Sequence, residues 1–191
     1  MKKAIVVDLS QIDAILLAAG ASKRLGEPKA LVDIHGESLI KLIIRKLKQN
    51  DLRIIIVTRK ELVDEINKLG EKIVINPEPE NGRTGSIQCG IKEAKSGRCI
   101  IVPVDRPGFS ISTVELLVSS KSSSCPSKDG RGGHPLFVDR HDIERILESA
   151  SDEPLNSIID PERILVEDPY LHLNIDTSED VDEFLRVVDF L

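Results

Sequence analysis

Four short apolar runs, Ala14–Ala18, Ile54–Thr58, Lys72–Asn76 and Cys99–Val104, are separated by segments of helical period. Leu39, Ile40, Ile43, Ile44 and Leu47 trace one helical face, and Leu62, Val63, Ile66 and Leu69 trace the next. Thr84 to Lys95 forms a third, with Ile87 and Ile91 one turn apart. Runs of strand length alternating with such segments are the mark of βαβ units around a mostly parallel sheet. The fold expected is α/β: a Rossmann-like, doubly wound, mostly parallel sheet with a β-hairpin and flanking helices. Right-handed crossovers place every βα loop at one edge of such a sheet, where ligands collect. The loops after Ala18 and Val104 are therefore expected to be neighbours.

Beyond Val104 the pattern changes. Ser112-Thr113-Val114-Glu115 fits a capping box opening a helix over Val114–Ser120. A hairpin is predicted from Ser123–Ser127 to His134–Val138, turning at Asp129-Gly130. Arg140–Ala150 reads as an amphipathic helix, and Ile164–Val166 as a short strand in an irregular stretch. Leu171–Ile175 reads as a last strand, followed by a helix capped at Thr177-Ser178-Glu179-Asp180 with Val181, Phe184, Leu185 and Val188 inward. No repeat or linker divides the chain, so residues 1–191 are read as one domain. Residues 1–11 are unplaced, as an extra edge strand or a tail.

Composition removes several classes of function. Lys plus Arg number 26 against 32 Asp plus Glu, a formal charge of −6, which argues against non-specific nucleic-acid binding. The cluster Lys41, Arg45, Lys46, Lys48 and Arg53 reads as the solvated face of a helix. Cys89, Cys99 and Cys125 are widely spaced and form neither a disulfide framework nor a metal pair. No run reaches the roughly 18 apolar residues of a membrane span, and Asp8 interrupts the one leader-like segment. The expectation is a soluble cytoplasmic protein.

Chemistry concentrates at the first strand. Leu17, Ala18, Ala19, Gly20, Ala21 and Ser22 are small enough for a flat ligand to lie against their backbone. Gly20 and Gly26 permit the left-handed turns that converge N–H groups, and Lys23, Arg24 and Lys29 add three cations. The combination suits a nucleotide, with base and ribose on the small residues and triphosphate on the amides and cations. Neither the P-loop pattern nor the dinucleotide fingerprint is present. The plainer reading is an ordinary βα turn with solvated charges.

Asp105 lies where a central strand ends, and a carboxylate there is placed to hold Mg²⁺ beside a triphosphate. Asp176 is the second metal candidate, its rival role being a helix cap. Thr84, Gly85 and Ser86 open a helix and can offer amides and hydroxyls to a base or ribose, or simply cap that helix. Arg131, Gly132, Gly133, His134 and Pro135 combine a cation, two glycines and an imidazole suited to an anionic, ring-containing acceptor. As a bare hairpin turn they would carry no function. His35, His141 and His172 are read as structural.

Taken in order, Leu17-Ala18-Ala19-Gly20, Asn76-Pro77 through Gly85-Ser86-Ile87, Val104-Asp105-Arg106-Pro107-Gly108, Arg131-Gly132-Gly133-His134-Pro135 and Asn174-Ile175-Asp176-Thr177-Ser178-Glu179-Asp180 closely resemble the molybdenum cofactor cytidylyltransferases. The first loop also resembles that of the wider nucleotide-diphospho-sugar transferase-like fold. The resemblance implies Mg²⁺-dependent transfer of CMP from CTP to the phosphate of molybdenum-bearing molybdopterin, with release of pyrophosphate. It implies Arg24 at the β,γ-phosphates, Lys29 at the α-phosphate or the attacking group, and Asp105 with Asp176 or Asn174 at the metal. It further implies product transfer to a downstream molybdoenzyme or its chaperone. The sister guanylyltransferases usually read Leu-Ala-Gly-Gly, so Ala19 favours cytidine. Arg106 stands where the family commonly has Gln, and an extra glycine separates Arg131 from His134. Both departures fall on the acceptor side.

The alternatives are guanylyl transfer from GTP to molybdopterin, transfer to a sugar- or lipid-precursor phosphate, or a non-catalytic nucleotide- or cofactor-binding chaperone. Pyrophosphate release separates the last from the rest.

Overall fold

A computed structural model of the chain describes residues 12–190. Each apolar run forms the strand expected of it: β1 (Asp13–Leu17), β4 (Arg53–Thr58), β5 (Lys72–Ile75) and β6 (Cys99–Pro103). Between β1 and β4 lie a small hairpin, β2 (Asp33–Ile34) and β3 (Glu37–Ser38), and helix α1 (Leu39–Lys48). Helices α2 (Val63–Asn67) and α3 (Arg83–Glu93) make the next crossovers. The chain continues through α4 (Ile111–Val118), β7 (Ser124–Lys128), β8 (Arg131–Gly132), β9 (Leu136–Val138), α5 (Arg140–Glu148), α6 (Leu155–Ile158), β10 (Glu162–Leu165) and α7 (Ser178–Val187).

The main sheet runs β10-β7-β9-β6-β1-β4-β5, with β8 paired to β7. Strands β5, β4, β1 and β6 are mutually parallel, and β9 is antiparallel to both its neighbours. The chain leaves β1 towards β4 and β5, then crosses back to β6 on the other side. That reversal puts the ends of β1 and β6 side by side, at the topological switch point where ligands of open α/β sheets bind.

Alternation along β1 feeds two cores. Ala14 and Leu16 pack with Leu39, Ile40 and Ile43 of α1, Val114 and Leu117 of α4, and Phe184 of α7. Ile15 and Leu17 pack on the opposite face with Ile87 and Ile91 of α3 and Ile143 and Ile146 of α5. Helices therefore cover both faces, which is why the central strands read as continuous apolar runs.

Several local expectations are corrected. Helix α4 starts at Ile111, three residues before Val114, because the Ser110 side chain accepts from the Thr113 N–H. The Asp129-Gly130 turn is as expected, both residues having positive φ (51° and 74°), but it joins β7 to the short β8. The two expected strands do pair, β7 with β9 antiparallel through Ser124 and Phe137, but β9 also pairs with β6 and so lies between β6 and β7. Leu171–Ile175 is not a strand: the Leu171 and Leu173 N–H groups close turns onto Asp168 and Tyr170, and Ile175 N–H reaches across to the Asp105 carbonyl at 3.0 Å. The basic cluster is not one solvated face either. Arg53 lies on β4 and pairs with the buried Asp13 carboxylate, while Lys46 is itself buried. The capping box at Thr177 and Asp180 is present as expected. Residues 1–11, read as unplaced, lie outside the described residues.

Candidate active site

The loop after β1 is folded by its own polar groups. Ser22 takes a left-handed conformation (φ 50°), and its carbonyl accepts the N–H groups of Leu25 and Gly26 at 3.2 Å each. Gly26 follows at φ 82°, a conformation that favours glycine, whereas Gly20 is not left-handed. The Ser22 hydroxyl then accepts the Lys29 N–H at 2.9 Å, turning the loop back over the sheet edge.

That return places Lys29 at the centre of the site. Its Nζ donates to Asp105 Oδ2 at 2.9 Å and to Asp176 Oδ1. Arg24 meets Asp176 Oδ2 at 2.7 Å, and the Asn174 amide donates to the same oxygen. Burial pulls the Asp176 carboxyl upward, yet Lys29, Asn174 and Arg24 together hold it below the ordinary carboxylate range. Helix capping falls to Thr177 and Asp180, with the Asp180 carboxylate taking the N–H groups of Asp176 and Thr177. The Asp176 carboxylate is thus turned away from capping and into the cleft.

The cleft has a volume of about 330 Å³. Leu17, Ala18, Ala19, Gly20, Ala21 and Ser22 line it, together with Arg24, Lys29, Ser86, Asp105 and Asp176, so most of the residues read as nucleotide- and metal-binding meet in one place. Thr84 and Gly85 do not line it. The Thr84 hydroxyl donates to the Glu153 carbonyl at 2.6 Å, and the Gly85 N–H donates to the Ser151 carbonyl at 2.9 Å. Ser86 accepts from the Asn76 side-chain amide at 2.9 Å, which leaves its own O–H free to donate. Arg83 was missed by the sequence reading. It lines the cleft at the start of α3, and a cation directly after Gly82 at a helix opening was the available signal.

The residues read as acceptor-binding are placed differently. Arg131 and Gly132 are exposed on β8, and the Gly133 N–H is taken by the Pro126 carbonyl. Arg106 donates to the His172 carbonyl at 3.3 Å. His134 has a buried Nδ1 without a hydrogen-bond partner among the described residues and is followed by the buried Pro135. Burial lowers the His134 pKa to about 4, with Arg83 and Arg106 acting in the same sense and Asp105 opposing them. His134 therefore feels the charges of the cleft without lining it. A second cleft, of about 570 Å³, shares Arg24 and Asp176 with the first and adds Lys128, Tyr170 and His172. His172, read as structural, faces it while its Nε2 hydrogen-bonds to the Lys128 carbonyl at 3.0 Å.

Among the described residues, no three His, Cys, Asp or Glu side chains cluster to form an all-protein metal cage. Asp105 and Asp176 together offer the one or two carboxylates that Mg²⁺ takes alongside phosphate oxygens and water. No helix among the described residues is long and apolar enough to cross a membrane.

Residues 14–167 match the family model of the MobA-like NTP transferase domain. The chain belongs to this family. It is 30% identical to the molybdenum cofactor guanylyltransferase of Vibrio atlanticus over 72% of each chain. It is 24% identical to the molybdenum cofactor cytidylyltransferase of Escherichia coli over 90% of this chain and 94% of that one. A nicotine blue oxidoreductase of Paenarthrobacter nicotinovorans is 32% identical over 69% of this chain and 72% of its own. Among solved structures, a homologue of Mycobacterium tuberculosis Rv0371c from Mycobacterium sp. strain JC1 superposes with a TM-score of 0.79 at 23% identity, covering 95% of this chain and 99% of the other. Rv0371c itself, solved in complex with manganese, gives a TM-score of 0.72 at 16% identity over 92% of this chain and 98% of its own. Both structures share the doubly wound fold with this MobA-like domain.

Proposed function

We propose that this domain is a Mg²⁺-dependent nucleotidyltransferase that moves CMP from CTP to the phosphate of molybdenum-bearing molybdopterin and releases pyrophosphate. The observation that carries the reading is the Lys29 ammonium set between the Asp105 and Asp176 carboxylates, in a cleft also lined by Ala18, Ala19 and Gly20. The molybdopterin acceptor is supported by the names of two relatives.

In this reading the acceptor phosphate oxygen forms a bond to the α-phosphorus as the bond to the β-phosphate bridging oxygen breaks. A phosphate monoester has a second pKa near 6, so at neutral pH it needs no general base. The protein's task is alignment and neutralisation of charge. Lys29 serves the α-phosphate or the attacking oxygen, and Arg24, whose side chain is 70% exposed, is free to swing onto the β,γ-phosphates. Asp105 and Asp176 would hold Mg²⁺, which supplies further neutralisation where the two anions meet.

GTP is the second reading for the nucleotide. Ala19 favours cytidine, while the guanylyltransferase relative is the more identical of the two, at 30% against 24%. The deciding experiment incubates purified protein with Mg²⁺, molybdopterin and either CTP or GTP and measures pyrophosphate release. Release with CTP alone is the expected result. Release with GTP alone reassigns the base, and CTP binding without release means that the acceptor is another phosphate or that the protein is a non-catalytic binder. Reduction or oxidation of nicotine blue by the same preparation would instead favour the chemistry named in the Paenarthrobacter relative.

A further inference from the structure

We propose that Lys46 is a positioning residue, setting the relation of Asp105 to Asp176 by holding the turn that links their two segments. This rests on the reading of those carboxylates as a metal site. Lys46 projects from α1 and is only 7% exposed. Its Nζ donates to the Pro107 carbonyl at 3.1 Å and the Phe109 carbonyl at 2.7 Å, and lies 4.9 Å from the centre of the Phe109 ring. Both carbonyls belong to the turn that begins directly after Asp105.

The far side of that turn is held by the segment carrying Asp176. The Ser110 N–H donates to Asp168 Oδ2 at 3.0 Å, Arg106 reaches the His172 carbonyl, and the Ile175 N–H takes the Asp105 carbonyl. Between these bonds Gly108 lies so close to Tyr170 that a Cβ would come within 1.9 Å of its carbonyl oxygen. The turn is therefore gripped by a buried cation on one side and a buried carboxylate on the other. An apolar side chain would fill the Lys46 position more cheaply than a charge. Burial brings the Lys46 pKa down to about 8; Asp168 opposes that shift and Arg45 adds to it. What the ammonium supplies, and an apolar residue would not, is fixed geometry in two carbonyls, those of Pro107 and Phe109, in the turn that follows Asp105.

The test compares wild type with Lys46→Met, which keeps the stem and removes charge and donors. Binding of Mn²⁺ alone is followed by electron paramagnetic resonance, metal-free CTP binding by calorimetry, and folding by circular dichroism. Folded Lys46→Met is expected to bind Mn²⁺ at least tenfold more weakly, with metal-free CTP affinity within about twofold of wild type. Unchanged Mn²⁺ affinity overturns the proposal. So does an equal loss of both affinities, which marks a merely structural role. If Lys46→Met does not fold, Lys46→Gln, which removes the charge but keeps an amide NH₂ as donor, is held to the same pattern at smaller size. A wild type whose Mn²⁺ binding is insensitive to Asp105→Ala also overturns it. Failure of the wild type to release pyrophosphate rejects the proposed function, while the Mn²⁺ comparison still judges Lys46.

Discussion

The Lys29 ammonium donates to the Asp105 carboxylate at 2.9 Å across 76 residues of sequence. Through it the loop after β1 is joined to the end of β6, and by a further bond to Asp176, 147 residues away from Lys29. Three segments thus share one centre of charge, which a parallel sheet reversing direction beside β1 makes possible. The Lys29 side chain is 14% exposed, and those of Asp105 and Asp176 are 22% and 19%, so the centre is sheltered but open to a ligand.

Removing either member of the first pair should cost activity far more than fold. In the proposed mechanism Lys29→Ala takes away the cation that would face the reacting phosphate, and Asp105→Ala takes away one of the two carboxylates that would hold the metal. Loss of one such group costs on the order of a hundredfold or more in turnover. Both variants are expected to transfer nucleotide at least a hundredfold more slowly while keeping a wild-type circular dichroism spectrum. Near-normal turnover in either would reject the role assigned to it.

Base selection should respond to a single methyl group. Ala19 is 5% exposed and lines the cleft, and in the proposed function it packs against the base. A methyl in a binding pocket is worth about 1–3 kcal/mol of discrimination. Ala19→Gly is expected to lower the ratio of kcat/KM for CTP over GTP by about tenfold or more. A ratio within twofold of wild type would remove Ala19 from nucleotide choice.

What the sequence revealed, and what it hid, divides along physical lines. Strands β1, β4 and β6 are buried almost throughout, and their unbroken apolar runs announce them; β5, at the sheet edge, is only partly buried, and its short run Ile73-Val74-Ile75 still marks it. Lys29, Asp105 and Asp176 were legible because they sit at strand ends or loops that one topology brings together. Leu171–Ile175 misled because apolar and polar residues alternate there as they do in a strand. Its backbone bonds go instead to local turns and to Asp105, a tertiary choice that alternation does not encode. Lys46 was hidden for a related reason. A lysine among lysines on a helix reads as solvated until its register turns it onto two carbonyls from a segment 60 residues on, as the separations of 61 and 63 show. Thr84 and Gly85 read as ligand groups because nothing in their neighbourhood discloses that residues 151–153 claim them.

Gly108 offers a test of how the two carboxylate segments are kept together. A Cβ there would stand 1.9 Å from the Tyr170 carbonyl oxygen and 2.7 Å from its carbon, both backbone atoms with no rotamer to escape into. Gly108→Ala is therefore expected to cost about 1–3 kcal/mol or more, as overpacking does, and to weaken transfer by parting Asp105 from Asp176. Gly20→Ala is the contrast: its Cβ would meet nothing within 4 Å, and its φ is not left-handed. Stability should hold in Gly20→Ala while nucleotide affinity falls, because the methyl occupies cleft volume. Urea unfolding with calorimetric CTP binding separates the two; equal stability in both variants would contradict the packing argument.

His134 should give the fold a distinct acid sensitivity. Its pKa in the folded chain is about 4, set first by burial and then by Arg83 and Arg106, against an ordinary 6.5. Above pH 6.5 the imidazole is neutral in both folded and unfolded chains and adds no pH dependence. Between pH 6.5 and 4 the unfolded chain takes up a proton that the folded chain refuses, so stability falls as the pH falls. Below pH 4 both forms are protonated and the loss levels off. A shift of this size corresponds to at most about 3 kcal/mol over the whole window. Asp13, Asp176 and Asp180, held below 3.8, lose their contributions at lower pH, so the His134 window stands apart from theirs. Urea unfolding at pH 7 and pH 4.5 should therefore show a steeper loss in wild type than in His134→Gln, by about 2 kcal/mol. Parallel losses in the two proteins would mean that the imidazole is already charged in the folded state, and would overturn its placement as a neutral group beside Arg83 and Arg106.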